Sequence, residues 1–297
     1  MINTLSLFDG ISCGRLALDR AGISVDKYFA SEIDKYAIQV AQKNWLDNIQ
    51  LGDVTKIKAA DLPKIDLLTG GFCCQSFSFA GNQGNFEDPR GKLFFECVRL
   101  LEELKPKYFL FENVKMKKEY QDFISEKLGV EPLLINSSIF TAHDRKRLYW
   151  TNIPQSTLPS LSNTVIKDIL DEADESLFLK PEIAARFVKT KNYKLNPAKS
   201  CVLGKLSNYQ GDRIFDTNGK ASSLSASGGN NGGGGCNIIF DPQENRLRKL
   251  SVNECERLQG VPVNYTSSIN SGQAYKTLGN GWTVDAISHL FQGIKLA

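Results

Sequence analysis

The sequence predicts an α/β protein with a doubly wound, Rossmann-like, mostly parallel sheet and a second, smaller loop-rich lobe. Over roughly the first 150 residues, short apolar stretches of strand length alternate with stretches whose apolar residues recur at helical spacing. After about Pro154 this alternation fades, and Pro, Ser, Asn and Gly become more frequent, up to a glycine tract at 228–235. The two halves of the chain are therefore expected to have different architectures.

The elements of the first part can be placed in order. The predicted strands are Thr4–Phe8, Tyr28–Glu32, Ile65–Leu68 and Tyr108–Glu112, and the predicted helices run through about Ala21, over Lys35–Asn44 and over Leu93–Leu104. Each strand ends in a polar or glycine-containing turn. Ligands of open α/β sheets bind beyond such strand ends, so the functional residues are expected there.

Helical pattern returns near the C-terminus. Ser251 and Glu254 have the spacing of a capping box at the start of a helix that reaches Gln259, and a last helix follows the turn Gly279-Asn280-Gly281. The chain is expected to divide into three ranges. These are a catalytic domain over 1–154, a target-recognition lobe over 155–245 and a part over 246–297 that returns to the catalytic domain.

The composition of the chain bears on whether it binds nucleic acid and whether it spans a membrane. The chain has 297 residues, of which 41% are hydrophobic and 23% charged, and its formal charge of +3 permits nucleic-acid binding without indicating it. No apolar run approaches the roughly 18 residues of a membrane span, and no charged leader precedes the first strand. We therefore expect no membrane partner and a cytoplasmic location, or a nuclear one in a eukaryotic host.

The cysteines argue against a structural metal or a disulfide framework. There are seven of them without C-x-x-C spacing, and only two histidines, His143 and His289, are present as further ligands. We expect no metal.

The turn after the first strand, Asp9-Gly10-Ile11-Ser12-Cys13-Gly14, indicates a ligand site. A glycine turn between strand and helix lets backbone approach a ligand, although it can also be an ordinary βα connection. Glu32 ends the next strand, where a carboxylate can accept hydrogen bonds from ribose hydroxyls, and Asp53 can reach an adenine amino group. Either acid alone is more often a solvated loop residue, but their regular placement favours a nucleoside cofactor.

Cys74 is the candidate nucleophile. It lies in Gly70-Gly71-Phe72-Cys73-Cys74-Gln75, after an apolar strand. Most cysteines are small buried hydrophobic residues. A cysteine on a glycine-rich turn at a strand's C-terminal end can instead be exposed, with backbone N–H groups that stabilise its thiolate.

Glu112 follows a neighbouring apolar strand, so its carboxyl projects from the same predicted sheet edge. A strand-end Glu is usually only a cap, but beside a nucleophile it can exchange protons with a base. Arg145 and Arg147 share one face if their segment is a strand. A basic strand is most often a solvated face, yet paired arginines suit a phosphate or a pyrimidine carbonyl.

Six motifs, taken in this order and spacing, resemble those of the cytosine-5 DNA methyltransferases. They are Leu7-Phe8-Asp9-Gly10 to Gly14, the Cys74-Gln75 turn, Glu112-Asn113-Val114, the arginine pair, Arg257-Leu258-Gln259-Gly260-Val261-Pro262 and Gly279-Asn280-Gly281. The match spans nearly the whole chain. The residues of these motifs look most like those of the catalytic domain of the vertebrate de novo enzymes and those of single-domain bacterial and phage enzymes.

The resemblance implies duplex DNA as substrate and S-adenosyl-L-methionine as methyl donor. In that family the target cytosine is rotated out of the duplex, because its reacting carbon is inaccessible while stacked. Cys74 would attack C6, and Glu112 would hydrogen-bond N3 and the exocyclic amine. Arg147 would bind the carbonyl oxygen, with Arg145 steadying the loop or a phosphate.

The resemblance also assigns cofactor contacts by position, from the first two strand ends, the segment Gly52-Asp53-Val54 and the C-terminal motif. These are Phe8, Gly10 and Gly14 around the methionine moiety, Glu32 on ribose, Ile33 against adenine, Asp53 on its amino group, and Asn280, Gly281 and Trp282. Basic residues of the lobe, and of the segment that directly follows it, are expected to meet DNA phosphates. They are Lys189, Lys191, Lys194, Arg246, Arg248 and Lys249.

One residue departs from the family pattern. Cys73 stands where the family has proline, which frees a dihedral angle and restores a backbone donor, so the nature of the transferred group is left open. Two alternatives also stay open, a transfer RNA cytosine methyltransferase and a catalytically inactive DNA-binding relative. We expect a monomer, without excluding an oligomer.

Overall fold

The computed structural model describes residues 1–72, 92–225 and 237–295. The chain divides into two compact units, neither of which is contiguous in sequence. One unit comprises 1–136, 146–157 and 286–297, and the other comprises 137–145 and 158–285. This division differs from the predicted ranges 1–154, 155–245 and 246–297, whose functional meaning stays a prediction.

A seven-stranded sheet forms the centre of the first unit. Its strands are β1 (Ile2–Leu7), β2 (Val25–Ser31), β3 (Ile49–Gln50), β4 (Leu67–Gly71), β5 (Tyr108–Val114), β6 (Leu133–Asn136) and β8 (Lys146–Thr151), in the order β3-β2-β1-β4-β5-β8-β6. The neighbours from β3 to β5 pair in parallel, and β8 is antiparallel to both β5 and β6. The predicted Rossmann-like, mostly parallel sheet is confirmed.

The first unit also contains helices. They are α1 (Cys13–Arg20), α2 (Lys35–Asn44), α3 (Leu93–Leu104), α4 (Lys118–Leu128) and, from Ala286 on, α8 (Val284–Phe291). Phe94 and Cys97 of α3 are fully buried in a core cluster that includes Phe111 and Trp150 from the strands. The bounds predicted for α2 and α3 are confirmed, and β5 runs two residues beyond its predicted end at Glu112.

The second unit has short strands and long connections. Its strands are β7 (His143–Asp144), β9 (Val188–Lys189), β10 (Val202–Lys205), β11 (Arg213–Phe215), β12 (Ala221–Ser222), β13 (Ile238–Asp241) and β14 (Arg246–Lys249). Five of them form a sheet in the order β14-β13-β11-β10-β9, and β7 pairs with β12. The helices are α5 (Pro181–Ala184), α6 (Val252–Gln259) and α7 (Ser271–Asn280). The predicted capping box of Ser251 and Glu254 is confirmed at the start of α6.

A buried ion cluster at Arg248 joins β13, β14 and α6. Its Nε lies 2.5 Å from Asp241 Oδ2, and its two Nη atoms donate to the two carboxylate oxygens of Glu254, each at 2.9 Å. The Arg248 side chain is 0% exposed. The prediction that Arg248 meets a DNA phosphate is therefore wrong, because its side chain turns inward and two carboxylates neutralise it.

Replacing Glu254 by glutamine is expected to lower the free energy of unfolding by about 3 kcal/mol, because a buried guanidinium loses a charged partner. The matched control is Glu175→Gln. The Glu175 carboxylate pairs with Arg246, which lies on β14 like Arg248, but the Glu175 side chain is 77% exposed. The control is expected to change nothing measurable. Urea unfolding midpoints of the two variants test this, and equal midpoints would contradict it.

Candidate active site

The turn that follows β1 has an unusual backbone. The φ angle is 55° at Phe8, 59° at Gly10 and 59° at Ser12, so three residues of five are left-handed. Glycine adopts this conformation freely, whereas each of the other two residues bears a cost on the order of 1 kcal/mol. Strained backbone of this kind clusters at ligand-binding turns. Gly14 lies buried in the first turn of α1.

Glu32 lies directly after β2 and is tied to the same turn. Its Oε2 accepts a hydrogen bond from Gly10 N at 2.8 Å, and its Oε1 accepts from Ile33 N at 2.7 Å and Asp34 N at 2.8 Å. Three backbone donors thus fix the orientation of this carboxylate. The structure brings together the two strand ends that the sequence singled out.

Ile33 and Asp53 lie on the connections that follow β2 and β3. Ile33 is 77% exposed, so a large apolar side chain stands uncovered beside Glu32. Asp53 lies three residues beyond β3 and caps a short 3-10 helix, where its Oδ1 accepts from Thr55 N at 3.0 Å and from Thr55 Oγ1 at 2.9 Å. The hydrogen bond from the Thr55 backbone lowers the pKa of Asp53, which keeps this acid ionised.

Glu112 and Arg147 form an ion pair on two neighbouring strands. Arg147 Nε lies 2.9 Å from Glu112 Oε1, and the side chains are only 14% and 11% exposed. In the antiparallel pairing of β5 with β8, Arg147 stands opposite Val114. Glu112 is two residues from Val114, so the acid and the base project from the same face of the sheet. This predicted acid and one predicted arginine are therefore brought together.

Arg145 has different partners. It lies between β7 and β8, is 3% exposed, and donates to Gly279 O at 3.3 Å and to Gly281 O at 3.0 Å. Arg145 and Arg147 were expected to share one face only if their segment is a single strand, and this condition is not met, because the strand is interrupted at Arg145. Its charge instead meets carbonyl oxygens at the C-terminal end of α7, where a cation is favourable.

The predicted turn at Gly279-Asn280-Gly281 is in fact a helix end. Asn280 is the last residue of α7 and is exposed, and Gly281 caps the helix. Gln259 Nε2 donates to Leu278 O at 2.5 Å and to Gly281 O at 3.1 Å. Thr283 Oγ1 holds Gln259 in turn by donating to its Oε1 at 3.0 Å. Sequence reasoning gave Gln259 no role; its place among the buried positions of an amphipathic helix was the available signal.

Asp9 is a second residue that sequence reasoning missed. Its carboxylate accepts hydrogen bonds from Ser12 Oγ at 2.5 Å and from Tyr28 OH at 2.7 Å. Burial raises the pKa of Asp9 to about 6, since the charged form is poorly solvated there. An acid in a glycine turn is usually solvated, and only the fold shows that this one turns inward.

Cys74, the predicted nucleophile, and Cys73 lie outside the described residues. The last described residue before them is Phe72, one residue after β4. Gly71 pairs with Glu112 across β4 and β5, and Asn113 Nδ2 donates to Phe72 O at 3.2 Å. The strand that leads to Cys74 therefore ends beside the acid of the ion pair.

The described residues contain neither a metal-binding cluster nor a membrane-spanning helix. Within 1–72, 92–225 and 237–295, His, Cys, Asp and Glu side chains form no group of three that can hold a metal ion. Among the helices of the same residues, none has the length and apolar character needed to cross a membrane.

Known proteins match this chain over nearly its full length. The family model for C-5 cytosine-specific DNA methylase matches residues 2–296. The Type II methyltransferase M.HhaI of Haemophilus parahaemolyticus is 31% identical over 98% of this chain and 93% of its own length. M.NlaX of Neisseria lactamica is 30% identical over 100% and 97%. The solved structure of the Entamoeba histolytica methyltransferase EhMeth, 18% identical, covers 100% of this chain and 99% of its own with a TM-score of 0.76, which supports the fold.

These matches confirm the resemblance, the enzyme class and the donor that the sequence predicted. Methyl transfer by such enzymes draws on S-adenosyl-L-methionine and acts on cytosine in DNA. The strand ends described above lie where a Rossmann-like sheet binds its ligands. The chain belongs to the C-5 cytosine-specific DNA methylase family.

Proposed function

We propose that this protein transfers a methyl group from S-adenosyl-L-methionine to C5 of a cytosine rotated out of duplex DNA, through a transient bond between Cys74 Sγ and C6. The observation that supports this best is the Glu112–Arg147 ion pair beside the end of β4. An acid and a guanidinium on one face offer a donor and acceptor set that matches one edge of a pyrimidine ring.

In the proposed reaction the thiolate of Cys74 adds to C6, and electron density moves to C5 and N3. Glu112 hydrogen-bonds N3 and the exocyclic amine, and Arg147 binds the carbonyl oxygen, so both stabilise the charge that develops on the ring. When bound, the donor would supply an electrophilic methyl group to the C5 electron pair, and the electrons of the broken S–CH3 bond would stay on its sulfur, which leaves as S-adenosyl-L-homocysteine. Removal of the C5 proton by a base then returns the electron pair to the ring and expels the Cys74 thiolate.

The residues that follow β1, β2 and β3 fit the cofactor. The Glu32 carboxylate, fixed by backbone donors, retains acceptor capacity for ribose hydroxyls, and the uncovered Ile33 offers an apolar surface for adenine. Ionised Asp53 accepts from the adenine amino group. We assign the remaining contacts by motif position. They are Phe8, Gly10 and Gly14 at the strained turn, and Asn280, Gly281 and Trp282 at the end of α7.

Arg145 holds the end of α7 in this proposal rather than a phosphate, because its donors already meet Gly279 O and Gly281 O. The exposed Lys189, Lys191 and Lys194 remain candidates for phosphate contacts in the recognition lobe. The functional ranges 1–154, 155–245 and 246–297 belong to the same proposal.

We further propose that the protein acts as a monomer in the cytoplasm of a bacterial or phage-infected cell. Curated relatives from Haemophilus, Neisseria and a Bacillus phage support this location, and none of them supports a nuclear one. Sedimentation at micromolar concentration tests the monomer, and a species of twice 33.0 kDa would contradict it.

The function is tested by incubating the full chain with methyl-labelled S-adenosyl-L-methionine and mixed-sequence duplex DNA or transfer RNA. Mass analysis of nucleosides is expected to show 5-methylcytosine in DNA alone, and bisulfite sequencing then gives the recognition site. Methylation of transfer RNA instead would replace the proposed substrate. DNA binding without transfer would identify an inactive relative, and a group heavier than methyl would revise the transferred group.

A further inference from the structure

The turn 8–12, which the proposed function makes part of the cofactor site, needs contacts that stabilise it, because its backbone conformation is unfavourable. Phe8 and Ser12 are left-handed without being glycine. A free turn with these residues would relax toward ordinary backbone conformations. Contacts from the rest of the first unit must therefore hold this shape.

Asp9 supplies such contacts from beneath the turn. Its two carboxylate oxygens accept from Ser12 Oγ, within the turn, and from Tyr28 OH, on β2. Ser12 Oγ also accepts from Asn48 Nδ2 at 3.0 Å, which extends the network to the segment before β3. Tyr28 and Ser12 are 0% exposed, so water does not compete for these bonds.

The acid is retained at a cost. Burial in this place penalises its charge, as the raised pKa of Asp9 shows. An apolar residue of similar volume would avoid that cost but could not bond Ser12 and Tyr28. A buried acid that joins a strained ligand turn to its neighbouring strand has the placement of a residue that preorganises a site.

We propose that Asp9 is a positioning residue for the methyl donor: its hydrogen bonds to Ser12 and Tyr28 hold the turn 8–12 in the shape that receives S-adenosyl-L-methionine. This inference rests on the proposed function, which makes that turn part of the cofactor site. Asp9 acts through the backbone of Phe8 and Gly10 and not through contact with the reacting atoms. When its bonds are weakened, a smaller fraction of molecules holds the binding shape, and the apparent Kd rises in proportion.

The test compares two single-atom deletions in the full chain. Tyr28→Phe removes the hydroxyl that donates to Asp9 and leaves the buried ring. Tyr108→Phe is the matched control, because its hydroxyl accepts from Lys295 N at 3.2 Å and lies at the start of β5, away from the strand ends that form the site. Calorimetry with S-adenosyl-L-methionine, without DNA, is expected to give a Kd about tenfold weaker for Tyr28→Phe and an unchanged Kd for Tyr108→Phe.

A second measurement separates positioning from general stability. Amide hydrogen exchange at Gly10 and Ser12 is expected to accelerate in Tyr28→Phe, while exchange in β4 and β5 stays at the wild-type rate. Asp9→Asn is expected to show the same pattern, because an amide offers one acceptor oxygen where the carboxylate offers two.

The outcomes are distinguishable. A wild-type Kd in Tyr28→Phe, or the same loss in Tyr28→Phe and Tyr108→Phe, would overturn the role of Asp9 and leave the proposed function intact. Acceleration of exchange throughout the sheet would also overturn it, since Asp9 would then only stabilise the fold. A wild-type protein that binds no S-adenosyl-L-methionine would overturn the proposed function and this inference with it.

Discussion

Cys74→Ala is expected to abolish methyl transfer, with a rate reduced on the order of 10⁴-fold or more, because the ring cannot be activated without a bond to C6. Single-turnover transfer of a labelled methyl group to duplex DNA measures the loss. The covalent step itself can be trapped with DNA that carries 5-fluorocytosine. Fluorine at C5 cannot leave as a proton does, so the bond to sulfur persists through denaturation.

Cys73→Ala is the matched control for this prediction, since it removes the neighbouring thiol from the same segment. It is expected to retain transfer and to form the trapped complex. Methyl transfer by Cys74→Ala, or loss of the trapped complex in Cys73→Ala but not in Cys74→Ala, would show that Cys74 is not the nucleophile. Calorimetry with S-adenosyl-L-methionine checks separately that neither substitution changes the affinity for the cofactor.

Glu112→Gln is expected to reduce the rate of transfer on the order of 10³-fold. The amide keeps the shape of the side chain, but it cannot transfer a proton at N3 and does not attract the guanidinium of Arg147 at 2.9 Å. The single-turnover rate at saturating donor measures this loss. Because the ion pair is nearly buried, the urea midpoint must also be recorded, to show that the variant remains folded at the assay temperature.

The control for Glu112→Gln is Glu103→Gln on α3. Glu103 pairs with Arg99 at 3.0 Å in an exposed helical i,i+4 arrangement, so the same chemical change is made in the same unit away from the sheet edge. Its transfer rate is expected to equal that of the wild type. A Glu112→Gln rate within a few-fold of wild type would show that Glu112 is not used for proton transfer.

How far the sequence predicts this molecule depends on whether the signal is local. The bounds of α2 and α3 follow from apolar spacing and from Asp34, which caps α2 by accepting from Tyr36 N, and both predictions are confirmed. The sequence also singled out Glu112 and Arg147, because strand alternation and motif order are visible in the chain, and their catalytic roles stay a prediction. The distance between them is not visible in the sequence, since it depends on how β8 registers against β5.

Polar residues whose burial depends on three-dimensional packing were misjudged or missed. Arg248 resembled a phosphate ligand, and only the approach of Asp241 and Glu254 makes it an interior residue. Asp9 received no role of its own from the sequence, because its hydrogen bond from Tyr28 on β2 appears only in the fold. Burial of a charge is decided by the groups that surround it in three dimensions, and no periodicity in a single sequence records them.

The interruption between β7 and β8 has a consequence for engineering. Residues 137–145 belong to the second unit, whereas Lys146 begins β8, an interior strand of the first unit's sheet. His143 and Asp144 pair with Ala221 and Ser222, and His143 is 0% exposed. A chimaera that exchanges the recognition lobe by splicing near 155 would leave this short strand facing a foreign partner. A chimaera designed to change the target sequence must therefore carry 137–145 together with the lobe, with the junction between Arg145 and Lys146.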